Sequence, residues 1–212
     1  MDVRHAIELT GVAAFAASGV LSAGRKGMDL IGVAAIAFVT ALGGGTLRDL
    51  LLDRHPIFWI EDRDYVWACL VATAATLLWV RVRVPPHRAL LLADALGLAF
   101  FVIGGTGIAQ ARGQGGVIAL LMGVITGCVG GIVRDVLSAE IPLVLRPGRL
   151  YVTAAIAGAS LYLVLESVGV PRQQAGFAGM TLIAILRLIS MRWNLRLPPP
   201  GLPSADNSAP HL

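Results

Sequence analysis

Apolar residues dominate seven long segments of this chain, and short runs of glycine, proline and charged residues separate them. The segments cover about residues 6–23, 28–52, 64–82, 89–111, 114–138, 149–167 and 173–191. Each approaches the ~20 residues that a helix needs to cross a bilayer. All eleven prolines lie in the connecting runs, at segment ends or near the C-terminus, so any bend in mid-membrane must come from glycine. The pattern predicts an all-α polytopic membrane protein with seven transmembrane helices.

The first three segments are repeated in the next three. An ungapped shift of 86 residues places Glu8 on Asp94, Pro56 on Pro142, Arg63 on Arg149 and Tyr65 on Tyr151. Because three is odd, the second copy must enter the membrane from the opposite side, which makes the two repeats inverted and leaves the seventh helix outside them. The predicted division is a first repeat over 1–86, a second over 87–168, a seventh helix over 169–192 and a disordered, proline-rich tail over 193–212.

Both repeats carry glycines followed by an Arg-Asp doublet inside their second segment. The two copies are Gly43-Gly44-Gly45-Thr46-Leu47-Arg48-Asp49 and Gly130-Gly131-Ile132-Val133-Arg134-Asp135. Ionised side chains inside a membrane span are costly and mark a pathway or a fixed internal pairing. Each glycine weakens a helix by about 1 kcal/mol relative to alanine. We therefore predict a kink or an unwound turn that frees carbonyl groups near Thr40 and Thr126 for a cation.

The doublets and two further acidic residues leave alternatives open. A pseudo-two-fold axis predicts that Arg48 pairs with Asp135, and Arg134 with Asp49. Glycine pairs can also serve close helix packing, and Arg–Asp pairs can simply lock two helices together. Glu8 and Asp94 are candidate vestibule residues at opposite faces, or carboxylates that snorkel to the interface.

Composition excludes several classes of protein. The chain is 56% hydrophobic and 14% charged, with a mean hydropathy of +0.76, which is far too apolar for a soluble domain. Its net charge of +4 is scattered over short loops, so no nucleic-acid partner is predicted. Two cysteines and four histidines show no metal-ligand spacing, and no nucleophile–base pair or phosphate-binding loop is present in the sequence. We predict no enzyme activity, no cofactor and no metal site.

Charge and aromatic residues predict the orientation. Outside the doublets, ten basic residues, Arg187 among them, lie on the side of the C-terminus and five lie on the side of the N-terminus. The positive-inside rule then places the N-terminus in the periplasm and the C-terminus in the cytoplasm. Phe58, Trp59, Tyr65 and Trp67 are predicted to form an aromatic belt at one boundary.

The doubled glycine–Arg-Asp segments, within a layout of three plus three plus one helices, resemble prokaryotic trimeric intracellular cation (TRIC) channels. These overlap a bacterial family of small membrane proteins labelled as glycine transporters. The resemblance covers roughly residues 5–191. It implies a homotrimer in the lipid of the bacterial inner membrane, with a pore in each protomer between the kinked second and fifth spans. That pore would conduct potassium or sodium ions, chiefly potassium.

The resemblance also assigns the kink glycines and shows two departures. The kink residues are Gly43, Gly44 and Gly45 in the second span, with Gly130 and Gly131 in the fifth. Val129 stands where a third glycine would be, so the second bend is expected to be gentler. Animal members bind phosphoinositide through a lysine motif, whereas Leu50-Leu51-Leu52 follows the first doublet here, so lipid regulation is not carried over. A secondary transporter of a small solute such as glycine is the alternative function, and a membrane scaffold is a third.

Overall fold

The computed structural model describes residues 3–86, 88–146 and 150–193, with side chains from His5 onward. Every regular element in these ranges is a helix. The helices are α1 (Val3–Arg25), α2 (Leu30–Leu51), α3 (Phe58–Glu61), α4 (Asp64–Val82), α5 (Ala89–Ala111), α6 (Gly116–Leu137), α7 (Val152–Ser167) and α8 (Arg172–Trp193). The predicted disordered tail falls almost wholly on residues 194–212, which lie outside the described residues.

Six of these helices are long and apolar enough to cross a membrane, namely α1, α2, α4, α5, α6 and α8. The sixth predicted span, 149–167, corresponds to α7, which is apolar but has only 16 residues. The all-helical prediction is thus confirmed, and the short helix α3 is an addition that the apolar pattern does not reveal. The turns that follow α1 and α5 contain Gly27 and Gly113 at positive φ (67° and 76°), a conformation that favours glycine.

α1 and α5 form the centre of the bundle and pack against each other. The rings of Phe15 on α1 and Phe101 on α5 stack with centroids 5.3 Å apart. Each ring covers a glycine of the opposite helix, since a methyl group on Gly97 would lie 2.3 Å from Phe15, and one on Gly11 would lie 3.3 Å from Phe101. Because each residue and its counterpart are 86 positions apart, the contact is reciprocal between the two repeats.

α2 and α6 cross in the same reciprocal way, with backbone against backbone. A methyl group added to Gly44 would lie 2.1 Å from the carbonyl oxygen of Thr126, and one added to Gly130 would lie 2.2 Å from the carbonyl oxygen of Thr40. These two glycines allow the close helix packing that was one of the two sequence interpretations. α2 and α6 remain helical throughout, so the prediction of an unwound turn is wrong. Packing at the crossing explains this, because the glycines remove side-chain bulk without breaking the helix.

The predicted aromatic belt is wrong for two of its members. Phe58 and Tyr65 are only 3% and 6% exposed, and their rings meet edge to face with centroids 4.8 Å apart. Both belong to a buried cluster with residues of α1 and α2. α3 folds Phe58 back under the end of α2, which the sequence pattern of a loop does not suggest. Trp67 is 63% exposed, as a belt residue should be.

Candidate functional site

The two Arg-Asp doublets lie near the C-terminal ends of α2 and α6 and are buried. Arg48 Nε donates to Asp49 Oδ1 at 2.8 Å, and Arg134 Nε donates to Asp135 Oδ1 at the same distance. Each arginine therefore pairs with its own neighbour, and the predicted cross-pairing between the doublets is wrong. The long arginine side chain curls back far enough to bridge the angle of roughly 100° between adjacent helical residues.

The aspartate of each doublet also fixes the segment that follows its helix. Asp49 Oδ2 accepts a hydrogen bond from the backbone N–H of Phe58 at 2.9 Å. Asp135 Oδ2 accepts one from the backbone N–H of Leu143 at 2.8 Å. With one oxygen held by arginine and the other by the returning loop, the orientation of each carboxylate is set by the fold.

In the second repeat, Asp94 of α5 collects three donors and is 0% exposed. Arg134 Nη1 donates to its Oδ1 at 2.8 Å, and the hydroxyl of Tyr151 lies 3.3 Å from the same oxygen. Arg187 Nη2, from α8, donates to its Oδ2 at 3.2 Å. Asp94 is thus a buried ion-pair residue and not a vestibule residue, because the two guanidinium groups compensate its charge inside the bundle.

The first repeat places the same residue types in the corresponding positions. The hydroxyl of Tyr65 donates to Glu8 of α1, as that of Tyr151 does to Asp94. Glu8 is half-buried and borders a cavity of about 370 Å³ between α1, α5, α7 and α8. Its prediction as a vestibule residue therefore stays open, whereas Asp94 is enclosed.

The remaining predicted residues surround the α2–α6 crossing. The hydroxyls of Thr40 and Thr126 each donate to a carbonyl one turn earlier in their own helix, so both are satisfied locally. Gly45 packs against the ring of Phe58, and Gly131 faces the hydroxyl of Tyr151. Gly43 differs from them because it is half-buried and a methyl group there would meet only Val39, at 3.7 Å.

Sequence reasoning missed Arg187, which is 1% exposed and lies with its guanidinium carbon 4.4 Å from the centroid of the Tyr151 ring. Its side chain is buried inside the bundle rather than placed in a loop, so it should not count in the positive-inside comparison, which becomes nine against five. The available signal was a lone charge within an apolar segment. Arg134, Arg187, Asp94 and Asp135 together form a cluster with two positive and two negative groups, so the cluster as a whole carries no net charge.

Comparison with known proteins agrees with this architecture. A family model described as "Glycine transporter" matches the chain twice, over residues 5–81 and 91–167, and the two matches begin 86 residues apart (91 − 5).

Two bacterial relatives and one solved structure are closely similar over nearly the whole chain. The UPF0126 membrane protein of Vibrio cholerae is 44% identical and covers 93% of this chain and 82% of its own length. The UPF0126 inner membrane protein YadS of Escherichia coli is 43% identical over 91% and 93% of the two chains. The crystal structure of the TRIC channel orthologue from Rhodobacter sphaeroides superposes with a TM-score of 0.87 at 39% identity, covering 92% of this chain and all of that one. These similarities show that the chain is a multi-pass membrane protein of the UPF0126 and "Glycine transporter" family and that it belongs to the TRIC channel family.

Proposed function

We propose that the protein is a channel for monovalent cations, chiefly potassium, and that it works as a homotrimer in the bacterial inner membrane. The observation that carries the proposal is the reciprocal contact of Gly44 and Gly130 across the α2–α6 crossing, with an Arg-Asp doublet one turn beyond it on each helix. Support also comes from the TRIC orthologue, a cation channel that shares the fold at 39% identity.

The proposed pathway runs within one protomer, between α2 and α6. Backbone atoms touch at the crossing, so no ion passes through that point in this structure. Conduction therefore needs a movement that separates the two helices, or a path beside the contact. Gly43 lies on the open side of α2, where its neighbourhood has room for a side chain, and we place the pathway along this side.

The architecture that goes with this proposal is a pair of inverted repeats over 1–86 and 87–168, with the seventh helix outside them. Two observations support it: the family model matches twice with the same offset, and the Gly11–Phe101 and Gly97–Phe15 contacts are reciprocal. The orientation, with the N-terminus in the periplasm, rests on nine basic residues against five.

A secondary transporter of a small solute such as glycine is the second candidate. The description of the family model favours it, and inverted repeats serve carriers that alternate between two open states. In that case the tight α2–α6 crossing would be a barrier between two half-sites rather than the closed state of a pore.

Recording from the purified protein in planar bilayers distinguishes these two functions. The channel predicts unitary current steps whose reversal potential follows the potassium gradient. The carrier predicts saturable uptake of labelled glycine into proteoliposomes without unitary steps. Glycine uptake of that kind, in a preparation that shows no steps, would overturn the channel proposal.

A further inference from the structure

A histidine and two aspartates from two separate places in the chain meet where α1 and α4 begin. His5 lies near the start of α1, Asp62 follows α3, and Asp64 is the first residue of α4. His5 Nδ1 is 3.6 Å from Asp62 Oδ2, and His5 Nε2 is 3.4 Å from Asp64 Oδ2. One nitrogen or oxygen atom from each residue lies within 4.8 Å of those of the other two. The three side chains are thus within reach of one common ion.

Neighbouring groups hold two of these side chains in place. The His5 ring packs edge-on against the ring of Tyr65, with centroids 5.4 Å apart. Asp62 Oδ1 accepts a hydrogen bond from the backbone N–H of Asp64 at 2.9 Å, which leaves its Oδ2 turned toward His5. Such supporting contacts orient ligands before an ion binds.

The distances fit a small divalent ion of the zinc type. Bonds of 2.0–2.2 Å from such an ion separate neighbouring ligand atoms by roughly 3.4 Å in a tetrahedral site, the distance between His5 Nε2 and Asp64 Oδ2. Asp62 Oδ2 faces the other ring nitrogen, His5 Nδ1, at 3.6 Å, so an ion bound to Nε2 would need the Asp62 carboxylate to turn toward it. Asp64 is 65% exposed on its side chain, so water can supply the remaining ligand.

The ligand set decides which ions suit the site. The imidazole nitrogen suits zinc and other first-row transition metals, whereas calcium and magnesium prefer oxygen ligands alone. With His5 neutral, the two carboxylates carry a charge of −2 that a divalent ion would neutralise. The simpler arrangement is an imidazolium ion that bridges both carboxylates and binds no metal, and titration with Zn²⁺ distinguishes the two.

We propose that His5, Asp62 and Asp64 form a binding site for a divalent transition-metal ion, of which Zn²⁺ is the test case. The site is separate from the α2–α6 crossing and does not depend on the proposed channel function. It lies next to Tyr65, whose ring contacts His5 and whose hydroxyl donates to Glu8. An ion at the site would therefore be connected to Glu8 through the ring and the hydroxyl of Tyr65.

The chain's four histidines allow a sharp test with calorimetry. The background variant is His55→Gln/His87→Gln/His211→Gln, prepared without a polyhistidine tag, so that His5 is the only histidine left. Titration of the detergent-solubilised protein with Zn²⁺ should show one site per protomer in this background, with the affinity of the wild type. Adding His5→Gln or Asp64→Asn should weaken it by about tenfold or more.

His55→Gln alone is the matched control, because His55 Nε2 lies 3.4 Å from Asp53 Oδ1 and the described residues offer no third ligand there. The change should leave Zn²⁺ affinity unaltered. Gel filtration checks that each variant is folded, and Asp64→Asn keeps the test decisive if His5→Gln aggregates. The proposal is overturned if the background variant binds no Zn²⁺, or if both His5→Gln and Asp64→Asn bind it as tightly as the background does.

Discussion

Replacing Gly44 with alanine tests whether the glycines of α2 serve packing or bending. A methyl group there would lie 2.1 Å from the carbonyl oxygen of Thr126 and 3.1 Å from its carbonyl carbon. These are backbone atoms, so they cannot rotate away as the end of a side chain would. α6 would have to move by about 1.3 Å to restore an ordinary contact of 3.4 Å.

Gly43→Ala supplies the matched control, because its methyl group would meet only Val39 Cγ1, at 3.7 Å. Both changes replace glycine by alanine inside one helix, so the gain of about 1 kcal/mol in helix propensity is common to them. The difference between the two variants is then the cost of overpacking, about 1–3 kcal/mol. For a chain of this size, that corresponds to a melting temperature lower by about 2–12 °C for Gly44→Ala.

Tryptophan fluorescence during heating in detergent solution measures the difference in melting temperature between the two variants. Both are scanned at the same rate, because the melting temperature depends on the scan rate when unfolding is irreversible. Gly130→Ala should behave like Gly44→Ala, since its methyl group would lie 2.2 Å from the carbonyl oxygen of Thr40. Equal melting temperatures for Gly43→Ala and Gly44→Ala would refute the packing interpretation and favour glycines that serve flexibility.

Two further predictions concern ion pairs, one buried inside the bundle and one exposed on a loop. Arg187→Gln should destabilise the protein by about 3–5 kcal/mol, because it leaves the buried cluster around Asp94 with a net negative charge. The double variant Arg187→Gln/Asp94→Asn should recover part of that loss in the same thermal assay. The control Arg172→Gln, which removes an exposed ion pair, should cost at most about 1 kcal/mol. Outside the spans, hydrogen bonding to Lys26 and the positive charges of Lys26 and Arg146 lower the pKa of the exposed Glu140 carboxyl. Because the folded-state pKa is the lower one, the pair stabilises the fold above the usual glutamate pKa of about 4.3 and ceases to do so as the pH falls through the folded value. The melting temperatures of wild type and Glu140→Gln should therefore differ at neutral pH and converge in acid; a constant difference would contradict the assigned cause.

Much of the fold follows from the sequence, because membrane helices must be long and apolar and must end where glycine, proline and charge begin. The observed bounds of α4 and α5, 64–82 and 89–111, are those that the hydropathy pattern predicts. The 86-residue repeat also predicts which residues correspond, and the structure places Tyr65 and Tyr151 against Glu8 and Asp94 as counterparts.

The pairing of the charged groups could not be predicted from the sequence. Helical geometry places Arg48 and Asp49 in different directions, but it does not include the reach of an arginine side chain that folds back onto its neighbour. Arg187 lies on α8, beyond the end of the second family-model match, so no counterpart marks it. The close contact at Gly44 depends on the height at which α2 and α6 cross, which is a property of the assembled bundle.

The central claim, that ions pass along the open side of α2 near Gly43, can be tested by modifying one introduced cysteine during recording. The two native cysteines are buried (1% and 5% exposed), so Cys69→Ala/Cys128→Ala gives an unreactive background. In this background, a positively charged methanethiosulfonate reagent should reduce the potassium current of Gly43→Cys. It should leave that of Leu51→Cys unchanged, because Leu51 is 55% exposed on the outside of the bundle. Full labelling of Gly43→Cys with an unchanged current would contradict the proposed pathway.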